Sequence, residues 1–325
     1  MIFEQRSNVG GIWNYVPCSE EAPKDLAVPQ INPHAGHDQP IWENSNADKV
    51  LDGKTKEEVA FMTPLYDRLE TNIPRGLMGF SDLDWPQDIQ LFPKHAQVQE
   101  YIERYAEDVV HLARFGTQVL HVRLAEGSRW TVKTQKISKD TTVDPEEETY
   151  DAVIVASGHF NVPYIPPVKG MEDWHKAYPG AISHSKFYRK PEHYEGKKVI
   201  VVGNSASGID IGGQIRQYCK SPLIQSSKSE SYLQTETPAD QADKPEITEF
   251  VADGRTVVFA DGSRESDVDT VLYCTGYFYS FPFLDSLDPP VVTNGERVEN
   301  LYQHIFYGPH PTLAFPVLNL SLIHI

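Results

Sequence analysis

Three runs of branched apolar residues each end in glycine. Residues 151–156 (DAVIVA) run into Ser157-Gly158, 198–202 (KVIVV) into Gly203, and 269–274 (DTVLYC) into Thr275-Gly276. None alternates apolar with polar positions. A strand with both faces covered has this pattern, so the runs predict a parallel sheet flanked by helices. Val98, Ile102, Tyr105, Val109 and Leu112 fall at helical spacing and predict a helix over 93–115, with Gly116 as its C-terminal cap. Alternating segments at 119–124 and 130–133, separated by Glu126-Gly127-Ser128, predict a hairpin. A second hairpin is expected over 247–260, with turns at Asp253-Gly254 and Asp261-Gly262. Residues 17–55 and the acidic stretch 234–249 read as loops. The repeated grammar, strand then glycine turn, is that of a doubly wound α/β protein.

The run at 198–202 continues into a G-x-G-x-x-G-like loop, Gly203-Asn204-Ser205-Ala206-Ser207-Gly208. Gly203 permits the turn out of the strand, Ser205 is small enough to let a pyrophosphate approach, and Gly208 lets the next helix pack closely. The free N–H groups of that helix are a ready anion site. Gly212-Gly213 inside it is a local cost of about 1 kcal/mol per residue. About 20 residues on, where an NAD site would place a carboxylate, stand Ser226, Ser227 and Lys228. Two hydroxyls and a cation suit a 2′-phosphate, so NADPH is the expected dinucleotide. A second constellation lies at the start: Glu4 can accept the hydroxyls of an adenosine ribose, Gly10-Gly11 allow close backbone approach, and Trp13 supplies a flat wall.

Composition narrows the classes. The chain has 325 residues, 40% of them hydrophobic, and a net charge of −17. An acidic protein lacks the basic face that tracks nucleic-acid phosphates. No apolar stretch approaches the roughly 20 residues that cross a bilayer, and Glu4, Arg6 and Asn8 interrupt any leader-like start. Cys18, Cys219 and Cys274 are few and far apart, which fits a reducing compartment, and no C-x-x-C pair offers a redox disulfide. A cytoplasmic location is the default expectation. His34 and His37 have metal-pair spacing but no third ligand.

Together these segments resemble the flavin-containing monooxygenases over nearly the whole chain. Glu4, Arg6, Gly10, Gly11 and Trp13 follow the ExRxxxGGxW stretch of that family. Tyr66, Leu69, Thr71, Asn72 and Pro74 are similar to its Y-x-x-L-x-T-N-x-P segment. Gly180, His184 and Tyr188 resemble its FxGxxxHxxxY fingerprint, with Tyr178 in place of the first Phe. Ser205 and Ser207 fit its GxSxSG loop, and 156–158 and 274–277 resemble its two linkers, with Thr275 and Gly276 in the second.

The resemblance implies a fold and a chemistry. The fold is α/β with two Rossmann-like dinucleotide-binding domains: an FAD domain formed by 1–158 and 267–325, and an NADP domain, 159–266, inserted in it. The cofactors are FAD and NADPH. Reduced flavin captures O2 as a C4a-hydroperoxide, and a small nucleophilic amine or sulfur substrate takes the distal oxygen. Asn72 takes the place of the catalytic asparagine, contacting flavin and NADP. His184 is expected to bridge the linker structurally, and Tyr188 leans the chemistry toward N- and S-oxygenation. The first strand and glycine loop of the FAD domain have no counterpart ahead of Glu4, and 316–325 do not follow the pattern. The chain on its own is therefore expected to bind FAD poorly. An NADP-binding remnant without turnover is the alternative.

Overall fold

The apolar run at 198–202 becomes Val199–Val202, the middle strand of a five-stranded, all-parallel sheet. The strand order is Ile182–His184, Thr270–Tyr273, Val199–Val202, Leu223–Ser226, Gln241–Lys244. The computed structural model in which this is seen describes residues 1–17, 26–43, 58–139, 143–231, 233 and 236–316. Both faces of the strand are covered, which is why the sequence run shows no polar alternation. Ile200 packs with Ile224, Val271, Trp174 and Phe259 on one face. Val199 and Val201 pack on the other with Leu223, Leu272 and the helix residues Ile211 and Ile215. The helix Ala206–Ile215 follows directly on the glycine loop. Gly212 has a reason to be glycine, since a Cβ there would sit 3.1 Å from Gln225 Oε1 and 3.5 Å from Leu223 Cδ2. Gly213 faces open space.

The second hairpin forms as expected. Ile247–Val251, Thr256–Phe259 and Arg264–Glu265 make an antiparallel sheet, and Phe250, Val257 and Phe259 cover one face of the parallel sheet. The stretch 234–249 is not all loop, because Gln241–Lys244 takes the last place in the parallel sheet; residues 234–235 lie outside the described residues. Of 17–55, residues 18–25 and 44–55 lie outside them too, while Ile41–Glu43 pairs with Glu58–Ala60.

The parallel sheet draws on a strand beyond 159–266. Thr270–Tyr273 is hydrogen-bonded on both sides inside the parallel sheet, so it cannot belong to the other unit. The chain enters and leaves through a two-stranded ladder, Val162–Pro163 against Tyr277–Phe278, with the Thr275 hydroxyl donating to Tyr164 O. We propose that the boundary lies at this ladder and not at 266/267.

In the first unit the hairpin at Glu126–Ser128 joins Thr117–Leu124 to Trp130–Lys136, and a third strand, Glu146–Tyr150, which the sequence pattern did not reveal, completes the sheet. Its inner residues Val122, Trp130 and Val132 pack on Val155, Leu284, Leu313 and Phe315. The predicted helix over 93–115 is shorter, running only from His95 to Ala106. Val98 and Tyr101 are buried, but Tyr105, Val109 and Leu112, expected on the inner face, are exposed. Ala113–Arg114 leaves the helix to pair in parallel with Ile2–Phe3, so strand pairing overrides the helical period. Gly116, at φ 61°, makes the turn into the next strand and does not cap the helix. The run at 151–156 yields only Val153–Ile154, paired with Leu313–Ala314. It is not covered on both faces: Ile154 is 71% exposed. Neither Val153–Ile154 nor Ile2–Phe3 has a second strand neighbour among the described residues.

Candidate functional site

The loop after Val199–Val202 is shaped by steric necessity at two points. Gly203 has φ 104°, and a Cβ on it would lie 2.6 Å from Cys274 O. A Cβ on Gly208 would lie 1.9 Å from Gly203 O, so the helix start rests directly on the strand end. Ser205 precedes the helix in extended conformation, and its side chain caps none of the helix N–H groups. Those donors face the end of the loop, where the helix dipole favours an anion. Asn204 closes one side, its Nδ2 donating to Ser229 O at 2.6 Å, while Ser231 Oγ donates to Asn204 O at 2.8 Å.

The N-terminal constellation is equally constrained. Gly10 (φ 101°) and Gly11 (φ 51°) turn the chain into the short helical turn Gly11–Trp13. Gln99 from the helix His95–Ala106 donates to Val9 O at 2.8 Å, and Asn14 Nδ2 donates to Val9 O and Gly11 O at 2.9 and 3.0 Å. Glu4 is held through its backbone, donating to Arg114 O at 3.1 Å and accepting from Thr117 N at 3.0 Å. Its carboxylate accepts from Arg6 N at 2.8 Å. Thr71 is buried, with its hydroxyl donating to Ile73 O at 2.9 Å, and this fixes the backbone that presents Asn72.

These distant stretches meet. Trp13, Thr71 and Asn72 from the first unit and Ala206 and Ser207 from the second line one cavity of about 510 Å³. That volume is in the range of cofactor and substrate sites, roughly 300–1,000 Å³. Most of the wall is apolar, with Leu65, Met78, Phe92 and Ile209 among it. Among the described residues its ionisable carboxyl groups are Glu70 and Asp210, and no Lys, Arg or His side chain lines it.

The family profile described as Flavin-binding monooxygenase-like matches residues 49–238 and 241–321. The chain belongs to this family. FAD and NADPH are the cofactors of flavin-binding monooxygenases of this type. Among curated relatives, flavin-containing monooxygenase FMO GS-OX3 of Arabidopsis thaliana is 32% identical over 97% of this chain and 63% of its own length. FMO GS-OX1 of the same plant is 30% identical, with the same coverage. The chain thus spans less than two thirds of these relatives. Among solved structures, S-allyl-L-cysteine S-oxygenase from Allium sativum superposes with TM-score 0.71 at 29% identity, covering 97% of this chain and 65% of that one. Tmm from Pelagibacter shares the fold, with TM-score 0.73 at 24% identity over 98% of this chain and 64% of its own. The two-domain Rossmann-like architecture expected from the sequence is that of these monooxygenases.

Within this flavin-binding monooxygenase frame, several expected site residues take other roles. Arg6 is buried and turned inward, with its guanidinium donating to Phe61 O at 3.0 Å and lying over the Phe61 ring. Burial lowers its pKa, against the opposing pull of Glu4 and Asp38. It is placed to hold the chain at Phe61, not to meet a phosphate. Arg6→Met is therefore expected to destabilise the protein by about 2–3 kcal/mol, because Phe61 O loses a charged donor. Urea unfolding checks this, and a loss below about 0.5 kcal/mol counts against it. Ser226 is fully buried, and its hydroxyl donates to Pro245 O at 2.8 Å, so it is not turned toward a 2′-phosphate. Ser227 stays at the strand end, its N–H donating to Lys244 O at 3.1 Å. Lys228 is exposed and meets Glu246 at 3.5 Å, a surface pair weak enough to give way to a phosphate.

The fingerprint residues are structural in place. Gly180, at φ 80°, makes the turn before Ile182–His184. His184 is buried, its Nδ1 accepts from Lys186 N at 3.1 Å, and its ring meets Tyr277 of the linker edge-on at 5.1 Å. Burial holds its pKa down to about 3, with the Gly276 backbone pulling the other way. It therefore stays neutral and bridges the linker. Tyr188 is buried and donates to Gln214 Oε1 at 3.0 Å. Cys274 is buried, and burial pushes its thiol up to about 12, which leaves it inert. His34 Nε2 lies 3.1 Å from Thr293 O, and no group of three metal-ligating side chains exists among the described residues. No helix among them is long and apolar enough to cross a membrane.

Sequence reasoning missed Asp210, Phe160 and Tyr277, which also line the cavity. Asp210 carried a signal: it is the one acid on an otherwise apolar and glycine-rich helix, Ala206–Ile215.

Proposed function

We propose that this chain forms the two-nucleotide body of an FAD- and NADPH-dependent monooxygenase acting on a nucleophilic nitrogen or sulfur of a small molecule. The single observation that carries this is the cavity shared by Trp13, Thr71 and Asn72 from one unit and Ala206 and Ser207 from the other. The residues present fit both groups. Gly203 and Gly208 leave a cradle that any Cβ would fill, and with Asn204, Ser205 and Ser207 they would hold the NADP pyrophosphate. Lys228 and Ser227 would meet the 2′-phosphate. Glu4, Gly10, Gly11, Trp13, Thr71 and Asn72 would hold the adenosine ribose and flavin end of FAD, while Thr275 and Gly276 shape the linker between the two sites. When bound, the flavin supplies dioxygen activation with electrons drawn from NADPH.

The chain's own residues supply setting, not acid–base chemistry. An amine or thioether brings its own lone pair, so no protein nucleophile is required. The apolar wall of Leu65, Met78, Phe92 and Phe160 keeps water from the reacting centre. The Asn72 side chain is open to the cavity and offers a fixed amide dipole there. Glu70 and Asp210, with no cation on the wall among the described residues, favour neutral thioethers and amines over anionic substrates.

The test supplies purified chain with FAD, NADPH, a dialkyl sulfide or tertiary amine, and isotopically labelled O2. Sulfoxide or N-oxide carrying one labelled oxygen is expected. Binding of NADP+ without product favours the non-catalytic alternative. Absence of NADP+ binding overturns both. Asn72→Ala is expected to lower turnover by about 100-fold, the scale of losing one preorganised donor, with NADP+ affinity changed less than about threefold.

A further inference from the structure

From the cavity wall inward, one hydrogen-bonded chain ties together three sequence motifs that lie far apart. The Tyr66 hydroxyl donates to Asp210 Oδ2, across 144 residues of sequence. Gln214, one turn along the same helix, donates from Nε2 to Asp210 at 3.3 and 3.4 Å and accepts at Oε1 from Tyr188 OH at 3.0 Å. The ring of Tyr188 closes the circuit edge-on against Tyr66 at 5.2 Å. Tyr66 opens the segment that ends in Thr71-Asn72, Asp210 and Gln214 stand on the helix that follows the glycine loop, and Tyr188 ends the fingerprint. Tyr66 and Tyr188 are buried, so their hydroxyls cannot exchange this partner for bulk water. Asp210 faces the cavity, and burial raises its pKa while Tyr66 and Gln214 lower it.

We propose that Tyr66 and Asp210 are positioning residues that lock the Asn72 segment to the dinucleotide helix, so that the nicotinamide half of NADP is held beside Asn72. The inference rests on the NADP site of the proposed function and adds which side chains set the spacing across it. The adenosine end would be met at Ser227 and Lys228, whose contacts are to Lys244 and Glu246 and share no member with this hydrogen-bonded chain, so it is expected not to depend on the lock.

Calorimetric titration of the chain with NADP+ and with adenosine 2′,5′-bisphosphate, which lacks the nicotinamide half, separates these roles. Tyr66→Phe and Asp210→Ala are each expected to weaken NADP+ binding about five- to tenfold, the scale of the net contribution of one ordinary hydrogen bond, and to leave bisphosphate binding within about twofold. Asp210→Asn keeps an acceptor for Tyr66 and is expected to stay within about twofold of the parent for both ligands. The Tyr66→Phe/Asp210→Ala double variant should lose no more than either single one, since both remove the same bond. The inference is overturned if Tyr66→Phe and Asp210→Ala bind NADP+ like the parent, or if both ligands weaken in step. A parent chain that binds neither ligand overturns the nucleotide site itself, and the inference with it.

Discussion

Replacing Gly208 with alanine is expected to abolish detectable NADP+ binding and to destabilise the protein by about 3 kcal/mol, at the upper end for inserting a methyl group into a packed site. The added Cβ would lie 1.9 Å from Gly203 O. That oxygen cannot move aside, because Gln225 Nε2 donates to it at 2.6 Å and Gly203 N–H donates to Ser226 O at 2.9 Å. The helix must lift off the strand, and its N–H groups then no longer aim at the phosphate position. Gly213 in the same helix is the control. Nothing lies within 4 Å of a Cβ there, so Gly213→Ala is expected to stabilise by about 0.5–1 kcal/mol, the helix preference of alanine over glycine. Urea midpoints and an NADP+ titration read both variants. A Gly208→Ala protein that binds NADP+ and unfolds like the parent would show that the helix does not rest on the strand as described.

That contrast explains which parts of the site could be read from the sequence. The dinucleotide loop was legible because its requirement is local: a strand, a left-handed turn at Gly203 and a close approach at Gly208 lie within ten residues. The Gly10-Gly11 turn was legible for the same reason. Ser226 shows the limit. A hydroxyl at the strand end suits a phosphate, but the hydroxyl is taken by Pro245 O, just past the end of the neighbouring strand Gln241–Lys244. Arg6 stands in the stretch that resembles the FAD-ribose segment of the family, and only packing against Phe61 reveals it as a buried brace. The helix at 95–106 was overextended because apolar spacing continued past Ala106, and the competing pull came from Ile2–Phe3, some 110 residues away along the chain. The Tyr66–Asp210 bond was invisible in principle. Asp210 stands out as the one acid on its helix, but nothing in the local pattern points to Tyr66, and only the meeting of the two units pairs them.

The linker carries a pH dependence that should be measurable without any cofactor. Between about pH 3 and 6.5, native His184 stays unprotonated, while a histidine in the unfolded chain, titrating near 6.5, takes up a proton. The unfolded state binds more protons in this window, so stability is complete above about pH 6.5 and falls on acidification, by up to about 1.4 kcal/mol per pH unit. His184→Asn isolates the effect. The amide oxygen can replace Nδ1 as acceptor for Lys186 N, a position where asparagine is a good cap, and it does not titrate. At pH 7 the variant is expected to be less stable by about 1–2 kcal/mol, since the ring's packing against Tyr277 is lost. By about pH 5 the difference should vanish or reverse, because the parent has by then lost roughly 2 kcal/mol to histidine protonation. Carboxylates titrate in both proteins and cancel in the difference. Urea midpoints from pH 7.5 to 4.5 decide the matter: parallel curves for parent and variant would mean that His184 is not held neutral, and that its place between the fingerprint and Gly276 is more open than its burial indicates.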